Sequence, residues 1–471
     1  MINHSENYIN GKWVAASGTG TLAVTNPATD TVIAQVTEST AADVDAAVAS
    51  ARTAFESWSA TEPSERAKYL QAIAQKLSEQ SEELVGIISA EMGVPVTFAR
   101  AAHLPLPINS FAQAAAILAD FEFEDAYRGS TIVREPYGVI GAITPWNYPL
   151  HQIALKTAFG LAAGNTIVLK PSENTPLDAI ALTKIIDSVG LPEGVFNVVF
   201  GTGPVVGEAI AAHPGVDAVS FTGSTRAGRR VGELASATIK RVSLELGGKS
   251  ANILLDDADL ATAVPAAVQA AMLNSGQTCS ALTRLIVPRE RLTEVEQIAK
   301  TVAESITVGD PSDENTVLGP LASRVQQDRV LGYIRTGIDE GARVVTGGQT
   351  QPQDGPGAYV TPTIFSDVTT DMTIHRDEIF GPVLAIEPYD TEDEAVAIAN
   401  DSIYGLSGGV SSASSERAHN VARRMRTGQV FVNDAAWNLD APFGGYKQSG
   451  VGREAGRFGL EEFLEVKAIQ G

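Results

Sequence analysis

From residue 138 onward the sequence alternates between short apolar runs rich in Val and Ile and longer apolar segments with helical spacing. The short runs predict strands at 139–144, 166–170, 196–200, 217–222 and 241–246. The segments between them predict helices at 149–163, 176–189, 204–212 and 225–236. Val- and Ile-rich strands separated by helices are typical of a parallel sheet covered on both faces, so we expect an α/β fold.

A second series of strands and helices extends from residue 250 to about residue 443. Its predicted strands are 250–255, 284–287, 383–386 and 430–433, and its predicted helices are 259–274, 392–400 and 415–427. Before both series, the sequence predicts a hairpin at the turn Asn10-Gly11 and helices at 41–59, 63–92 and 107–120. Two α/β domains and a small arm fit this order of elements.

The overall composition excludes several classes of protein. A net charge of −22 and a pI near 4.7 disfavour nucleic acid as a partner, because phosphate binding requires a basic face. A single cysteine excludes an internal disulfide, and the six scattered histidines do not have the spacing of a zinc site, so no metal site is predicted. Without a run of 18 apolar residues or a signal-like start, we expect no membrane segment and a cytoplasmic protein.

The single cysteine, Cys279, is a candidate nucleophile. It lies in Gly276-Gln-Thr-Cys-Ser, directly after a predicted helix, among polar neighbours. A thiol in such a loop can be reached by a substrate, and backbone N–H dipoles could lower its pKa. A small buried hydrophobic residue is the alternative interpretation of a lone cysteine.

A cysteine nucleophile needs a base, and no histidine lies in a motif typical of a cysteine hydrolase. Glu245 is a better candidate, because it ends an apolar predicted strand at the edge where α/β folds place functional groups. Two glycines follow it in Leu244-Glu-Leu-Gly-Gly, and its apolar neighbours favour a partly buried base with a raised pKa. A solvated carboxylate at a strand end is the alternative.

Other strand ends carry residues that could bind a nucleotide or stabilise an oxyanion. The turn around Gly223 and Ser224 opens a predicted helix whose N–H groups could hold a pyrophosphate, although the dinucleotide motif GxGxxG is absent. Lys170 and Glu173 could bind ribose hydroxyls, and the acidic group favours NAD over NADP. Asn147, between two prolines, could donate to an oxyanion. Each segment could equally be a simple turn.

Taken together and in this order, the motifs resemble the NAD(P)-dependent aldehyde dehydrogenase superfamily over nearly the whole chain. The segments that carry the resemblance are Asn10-Gly-Lys-Trp13, TPWNYP (144–149), KPSE (170–173), FTGST (221–225), LELGGKS (244–250), GQTCSALTR (276–284), EIFGPV (378–383) and PFGGYKQSG (442–450). The resemblance implies an NAD-binding domain at 1–116 and 138–247, to which 446–461 returns. It further implies a catalytic domain at 248–445 and an oligomerisation arm at 117–137 and 462–471, with a homodimer or homotetramer.

The resemblance also implies roles for individual residues. Cys279 would be the nucleophile, Glu245 the general base, Asn147 the oxyanion donor and Lys156 part of a proton relay. The residues implied to contact the cofactor are Trp146, Lys170, Glu173, Gly223, Ser224, Glu378 and Phe380. The residues implied to line the substrate pocket are Tyr148, Gln152, Leu155, Thr278, Ser280 and Trp437.

The implied reaction is oxidation of an aldehyde to a carboxylic acid through a cysteine thiohemiacetal and a thioester. The presence of Glu245 favours hydrolysis of the thioester over its transfer to CoA. The implied pocket is mostly aromatic and apolar, which favours a neutral aliphatic or aromatic aldehyde, although Arg284 could approach its mouth. The alternatives are an NADP-preferring semialdehyde dehydrogenase, a cysteine hydrolase that needs no cofactor, and a catalytically silent structural relative.

Overall fold

The structure is a computed structural model, which describes residues 2–471 as a mixed α/β fold. Its strands are β1 (Ile2–His4), β2 (Glu6–Ile9), β3 (Lys12–Ala15), β4 (Thr21–Asn26), β5 (Thr31–Thr37), β6 (Glu124–Tyr127), β7 (Ser130–Pro136), β8 (Val139–Ile143), β9 (Thr166–Lys170), β10 (Phe196–Val198), β11 (Ala218–Thr222), β12 (Arg241–Glu245), β13 (Ala251–Leu254), β14 (Arg284–Pro288), β15 (Arg343–Thr346), β16 (Thr363–Ser366), β17 (Val383–Tyr389), β18 (Ser407–Ser411), β19 (Gln429–Val432), β20 (Gly450–Val451) and β21 (Leu464–Gln470). The α/β class predicted from the alternation of strands and helices is confirmed.

The helices lie between these strands. They are α1 (Ala41–Ser59), α2 (Pro63–Glu79), α3 (Ser81–Met92), α4 (Val96–Phe98), α5 (Pro105–Ile117), α6 (Pro149–Ala163), α7 (Leu177–Ser188), α8 (Glu208–Ala212), α9 (Thr225–Ser236), α10 (Leu260–Met272), α11 (Leu292–Ser305), α12 (Arg324–Asp339), α13 (Thr373–Arg376), α14 (Glu392–Asn400), α15 (Ser415–Ala422) and α16 (Gly456–Glu461). No helix among residues 2–471 has both the length and the apolar character needed to cross a membrane.

Two large sheets organise the molecule. The first has the order β20-β12-β11-β8-β9-β10-β2-β3, and its five central strands run parallel. Every residue of β8, β9 and β11 is buried, and so is every residue of the neighbouring helix α6. This double coverage explains why these strands are continuous apolar runs in the sequence.

The second large sheet has the order β15-β16-β17-β14-β13-β18-β19, and all of its pairs except β15–β16 are parallel. Two three-stranded sheets complete the fold. One contains β1, β5 and β4 near the amino terminus. In the other, β7 pairs antiparallel with both β6 and β21, so the segment near 117–137 pairs with the C-terminal strand of its own chain, as expected.

Several predicted boundaries are wrong. The single helix predicted at 63–92 is two helices, because Gln80 leaves the helical conformation and Ser81 starts a new helix with two acidic residues in its first turn. The helix predicted at 204–212 begins as a π-helical turn at Gly203–Gly207. The helix predicted at 415–427 ends at Ala422, and the small amino-terminal sheet was not predicted.

Candidate active site

Cys279 is presented by a loop with an unusual backbone. After α10, the consecutive residues Asn274, Ser275 and Gly276 all have left-handed φ angles, of 55°, 56° and 73°. A side chain at Gly276 could not be accommodated, because a Cβ there would lie 1.9 Å from the carbonyl oxygen of Gly381. Ser275 fixes the turn from the other side by donating to the carbonyl of Gly319 at 2.9 Å. The half-buried thiol of Cys279 therefore lies on a tightly constrained loop.

The carboxamide of Asn147 is fixed against the Cys279 loop. Its Nδ2 donates to the carbonyl of Gln277 at 3.1 Å, and its own backbone carbonyl accepts from Nδ2 of Asn274 at 2.9 Å. A primary amide nitrogen has two hydrogens, so one of them remains for a ligand. The structure thus brings Asn147 to the loop on which the predicted nucleophile lies.

Glu245 ends β12 and is 2% exposed. Neither of its carboxylate oxygens has a hydrogen-bond partner within the chain. The backbone of Gly444 lies directly against this carboxylate. Only a glycine fits there, because a Cβ at Gly444 would lie 2.7 Å from Oε1 of Glu245. Burial raises the pKa of Glu245 well above its usual range, and the charge of Glu454 raises it further against the opposing charges of Lys156 and Arg453. The predicted raised pKa of this carboxyl is confirmed.

A buried ion pair lies near Glu245. Nζ of Lys156 donates to Oε1 of Glu454 at 2.6 Å, and both side chains are almost completely buried. Oε2 of Glu454 has no partner. Sequence reasoning identified Lys156 but missed Glu454. The available signal was weak: an acidic residue four positions after the motif that ends at Gly450.

The expectation that backbone dipoles lower the pKa of Cys279 is wrong for this state of the protein. Burial raises the pKa of the thiol far above its usual value, and the charges of Glu378, Glu245 and Glu454 act in the same direction. The N–H of Ser280 opposes them with a smaller effect. Because a thiolate would lie among three carboxylates, the sulfur holds its proton until a nearby group removes it or a positive charge approaches.

The predicted ribose-binding residues form a pair at the carboxyl end of β9. Nζ of the buried Lys170 donates to Oε2 of Glu173 at 2.7 Å, while the carboxylate remains partly exposed. Burial acts to raise the pKa of Glu173, but the charge and hydrogen bond of Lys170 outweigh it and lower that pKa. The carboxylate is therefore ionised at neutral pH and has oxygens to offer to hydroxyl groups.

The predicted pyrophosphate turn lies at the same edge of the sheet. Gly223 follows β11, and its N–H donates to the carbonyl of Glu245 on the adjacent strand. The exposed Ser224 caps α9 by accepting from the N–H of Ala227 at 3.3 Å. The hydroxyl of Ser224 is thus already used within the chain, and the uncapped N–H groups of the first turn of α9 remain for an anion.

Glu378, Phe380 and Trp146 form a third group of predicted cofactor contacts. The N–H of Gly248 donates to Oε1 of Glu378 at 3.0 Å, and burial raises the pKa of Glu378 to about 7. The rings of Trp146 and Phe380 meet edge to face, with 5.5 Å between their centroids. Phe380 has a φ of 61°, a strained conformation for an aromatic residue.

A cavity of about 500 Å³ lies above Cys279. All six predicted pocket residues line it, and most of its other lining atoms are apolar, with no Lys or Arg and one acidic residue, Asp434. The expectation that Arg284 could approach the mouth of the cavity is wrong. Its buried guanidinium donates instead to the backbone carbonyls of Lys249, Ile398 and Ala399. Sequence reasoning missed the lining residues from α5 and the two histidines next to them.

These two histidines are His103 and His151. The ring of His103 stacks on Tyr148 with centroids 4.5 Å apart, and the hydroxyl of Tyr148 lies 3.0 Å from Oγ1 of Thr278, the residue before Cys279. His151 lines the cavity itself. Burial lowers the pKa of each histidine to about 3, so both rings are neutral at physiological pH.

Comparison with known proteins gives consistent matches over the full length. The sequence model of the aldehyde dehydrogenase family matches residues 13–469. A 3-succinoylsemialdehyde-pyridine dehydrogenase from a Pseudomonas species is 52% identical over 474 residues, covering 100% of this chain and 99% of that protein. Aldehyde dehydrogenase C of Pseudomonas syringae, a cysteine-to-alanine variant in complex with NAD+ and octanal, superposes with a TM-score of 0.98 at 52% identity and covers 99% of this chain and 96% of its own. A Mycobacterium tuberculosis aldehyde dehydrogenase complexed with NAD+ has a TM-score of 0.97 at 42% identity, covering 100% of this chain and 98% of its own.

Proposed function

The chain belongs to the aldehyde dehydrogenase family, and from that premise we propose that it oxidises a neutral aldehyde to the carboxylic acid with NAD. Family membership makes it an oxidoreductase that acts on aldehydes. One observation carries the proposal: Cys279 lines an apolar cavity, and the unpartnered buried carboxylate of Glu245 lies close enough to influence the pKa of its thiol. A carbonyl carbon in that cavity could contact the sulfur of Cys279, with the carboxylate of Glu245 nearby as the base.

In the first step of the proposed reaction, the sulfur of Cys279 adds to the aldehyde carbon. The thiol proton passes to Glu245, directly or through a water, because that carboxylate has no competing hydrogen bond. The carbonyl oxygen becomes an alkoxide, which accepts from the free Nδ2 hydrogen of Asn147. The bond from Asn147 to the carbonyl of Gln277 holds the donor at the loop before charge develops.

NAD, when bound, supplies the acceptor for the hydride of the resulting thiohemiacetal. The chain offers suitable groups to hold it: Glu173 and Lys170 for hydroxyls of a ribose, the start of α9 for phosphate, and Glu378 for a second ribose. The ionised Glu173 would repel a 2′-phosphate, which supports NAD over NADP. Both structural relatives named above were solved with NAD+.

In the last step, Glu245 removes a proton from the water that hydrolyses the thioester of Cys279. A carboxyl whose pKa is raised is a stronger base once it has lost its proton. The ion pair of Lys156 and Glu454 would pass that proton onward, because it links the interior of α6 to the neighbourhood of Glu245.

The character of the cavity supports a neutral aldehyde as substrate. An anionic semialdehyde would find no cationic side chain in the lining, and Asp434 would repel it. The Pseudomonas syringae relative was solved with octanal, a neutral aliphatic aldehyde. The name of the 3-succinoylsemialdehyde-pyridine dehydrogenase contains both a semialdehyde and a pyridine ring. An aromatic group at the far end of the substrate is therefore also compatible with this proposal.

The arm formed by 117–137 and 462–471 supports a homo-oligomer, either a homodimer or a homotetramer. Six of the seven residues of β21 are exposed, and they include the apolar Val466 and Ile469. We further propose that 1–116, 138–247 and 446–461 form the cofactor-binding domain and 248–445 the catalytic domain, since β20 joins the first large sheet.

The test is an aldehyde panel assayed with NAD and with NADP, following absorbance of the reduced cofactor. We expect octanal and benzaldehyde to be oxidised in the presence of NAD, with a lower kcat/KM for succinic semialdehyde and for NADP. Cys279→Ala should abolish oxidation while leaving NAD affinity within about twofold. Ester cleavage without any cofactor-dependent oxidation would instead favour a cysteine hydrolase, and inactivity with every aldehyde would favour a structural relative.

A further inference from the structure

The apolar wall of the cavity is interrupted by polar side chains on one side. Two neighbouring helices supply them, α5 with Ser110 and α6 with His151 and Gln152, and all three residues line the cavity. We call these three residues the polar stripe. An apolar tunnel that needed only to bind a hydrocarbon chain would gain nothing from polar groups, because each loses its water when the tunnel is filled.

Gln152 is the strongest member of the polar stripe. It is 5% exposed, and its Oε1 is buried without any hydrogen-bond partner in the chain. This oxygen is shielded from the cavity, whereas the amide nitrogen, which also has no hydrogen-bond partner within residues 2–471, remains to donate to a ligand. Cys279 lines the same cavity, so a group bound by Gln152 and an aldehyde at Cys279 would share one space.

His151, next to Gln152 in sequence, offers an acceptor. Its Nδ1 lies 3.5 Å from Oγ of Ser110, and this hydroxyl donates to the carbonyl of Leu106 at 3.0 Å. Since the hydrogen of Ser110 is used, its oxygen is free to accept, and Nδ1 of His151 must then carry the proton. In the neutral ring Nε2 is left as a bare acceptor.

We propose that the polar stripe binds a hydroxyl group on the chain of the substrate. The inference rests on the proposed function and narrows it to neutral hydroxyaldehydes. A hydroxyl fits because its hydrogen satisfies Nε2 of His151, while its oxygen can accept from Nε2 of Gln152. A ketone or ether oxygen has no hydrogen to donate and would leave Nε2 of His151 unpaired.

Charged groups fit the polar stripe less well. A carboxylate has no hydrogen to donate at neutral pH, and the lining offers it no Lys or Arg. An ammonium could donate, but His151 is held neutral among groups that already include the positive charge of Lys156, which would repel a second cation. The neutral donor is therefore the chemistry that this part of the cavity recognises.

The experiment compares octanal with a series of hydroxyoctanals whose hydroxyl is placed in turn at each carbon from C3 to C8, using the enzyme and NAD. We expect at least one hydroxyoctanal to exceed octanal in kcat/KM by about tenfold or more, because the site leaves polar groups unpaired with the plain chain. In Gln152→Met and His151→Leu that ratio should fall to about one or below, while octanal is still oxidised.

Leu155→Met is the matched control, because it changes an apolar side chain of the same helix that also lines the cavity. Its ratio of hydroxyoctanal to octanal should stay within about twofold of the wild-type ratio, whatever happens to the absolute rates. The proposal is overturned if no hydroxyoctanal exceeds octanal in the wild type, or if the preference survives both Gln152→Met and His151→Leu. In those cases oxidation of octanal still supports the proposed function, whereas failure to oxidise any aldehyde would overturn both.

Discussion

The two sides of Cys279 differ in chemistry and in the way they are built. One side contains ionisable groups, namely the buried Glu245, Glu454 and Lys156 and the partly exposed Glu378, which are supplied by the end of β12, by helix α6 and by loops. The other side is the cavity, whose wall is supplied largely by helices α5, α6 and α10 and is mainly apolar. We call them the charged side and the tunnel side.

This difference separates reaction type from substrate choice. Charges buried near the sulfur control its proton and that of a water, and their effects are large because the surroundings are poorly solvated. The tunnel side acts through shape and through a few hydrogen bonds, whose individual effects on rate are smaller. Substitutions on the charged side should therefore affect every aldehyde equally, whereas those on the tunnel side should change the order of preference.

The largest effect is expected from Glu245→Gln on the charged side. Loss of the base should lower turnover by about 10²- to 10⁴-fold, and the thioester on Cys279 should accumulate because its hydrolysis is slowed most. Rapid-mixing kinetics should show a burst of one NADH per site, and mass spectrometry should show the acyl-enzyme. Turnover equal to that of the wild type would remove Glu245 from the mechanism.

Asn147→Ala should produce the next largest effect. Removing one oxyanion donor should lower kcat by about 10²- to 10³-fold for short and long aldehydes alike. Steady-state kinetics with propanal and octanal provide the measurement, and NAD affinity, measured by fluorescence titration, is the control and should stay near normal. A variant that kept more than half of the activity would show that this amide does not act as the donor.

On the tunnel side, Leu155→Trp should separate substrates by length. The larger ring enters the cavity that Leu155 lines, so kcat/KM for octanal should fall about tenfold or more, while that for propanal should change by less than about threefold. The ratio of the two values is the measurement. If both aldehydes lost activity equally, the clean division between the two sides would be wrong.

The smallest effect concerns stability and Glu378. Its pKa in the folded protein is raised to about 7, so the fold is stabilised by the protonated form of Glu378. This stabilisation is complete below pH 4.5, the ordinary pKa of a glutamate, and is lost as the pH rises through about 7. Glu378→Gln cannot ionise and should escape this loss. The measurement is the fall in Tm between pH 5 and pH 8, without NAD, in differential scanning fluorimetry. We expect the fall for Glu378→Gln to be smaller than that for the wild type by about 1–3 °C. An identical fall in both proteins would contradict the raised pKa.

The sequence predicted the parallel strands and the residues at their ends well, because doubly covered strands are apolar runs and their glycine turns are distinctive. Threonine is a favoured N-cap residue, and Thr40, directly before the predicted helix at 41–59, caps α1 with a reciprocal hydrogen bond to Asp43. The roles assigned to Cys279, Glu245 and Asn147 remain predictions, although the structure brings Asn147 to the Cys279 loop and Glu245 within electrostatic reach of its thiol.

What the sequence could not predict depends on contacts between distant segments. Lys156 and Glu454 are 298 residues apart, and nothing local to either one indicates the other. The direction of the pKa shift at Cys279 was mispredicted for the same reason, since it depends first on burial within the folded chain and then on carboxylates from three separate segments. The need for a glycine at position 276 follows from the close approach of the carbonyl of Gly381, which local propensity does not reveal.

The pairing of Lys156 with Glu454 also has a consequence for synthesis on the ribosome. Lys156 emerges with the first third of the polypeptide, but its carboxylate partner is translated only 17 residues before the end, at position 454 of 471. Until then the interior of α6 contains an ammonium group without its counter-charge, which is costly to bury. A product that ended before residue 454 would therefore have the ammonium of Lys156 inside α6 without its carboxylate partner.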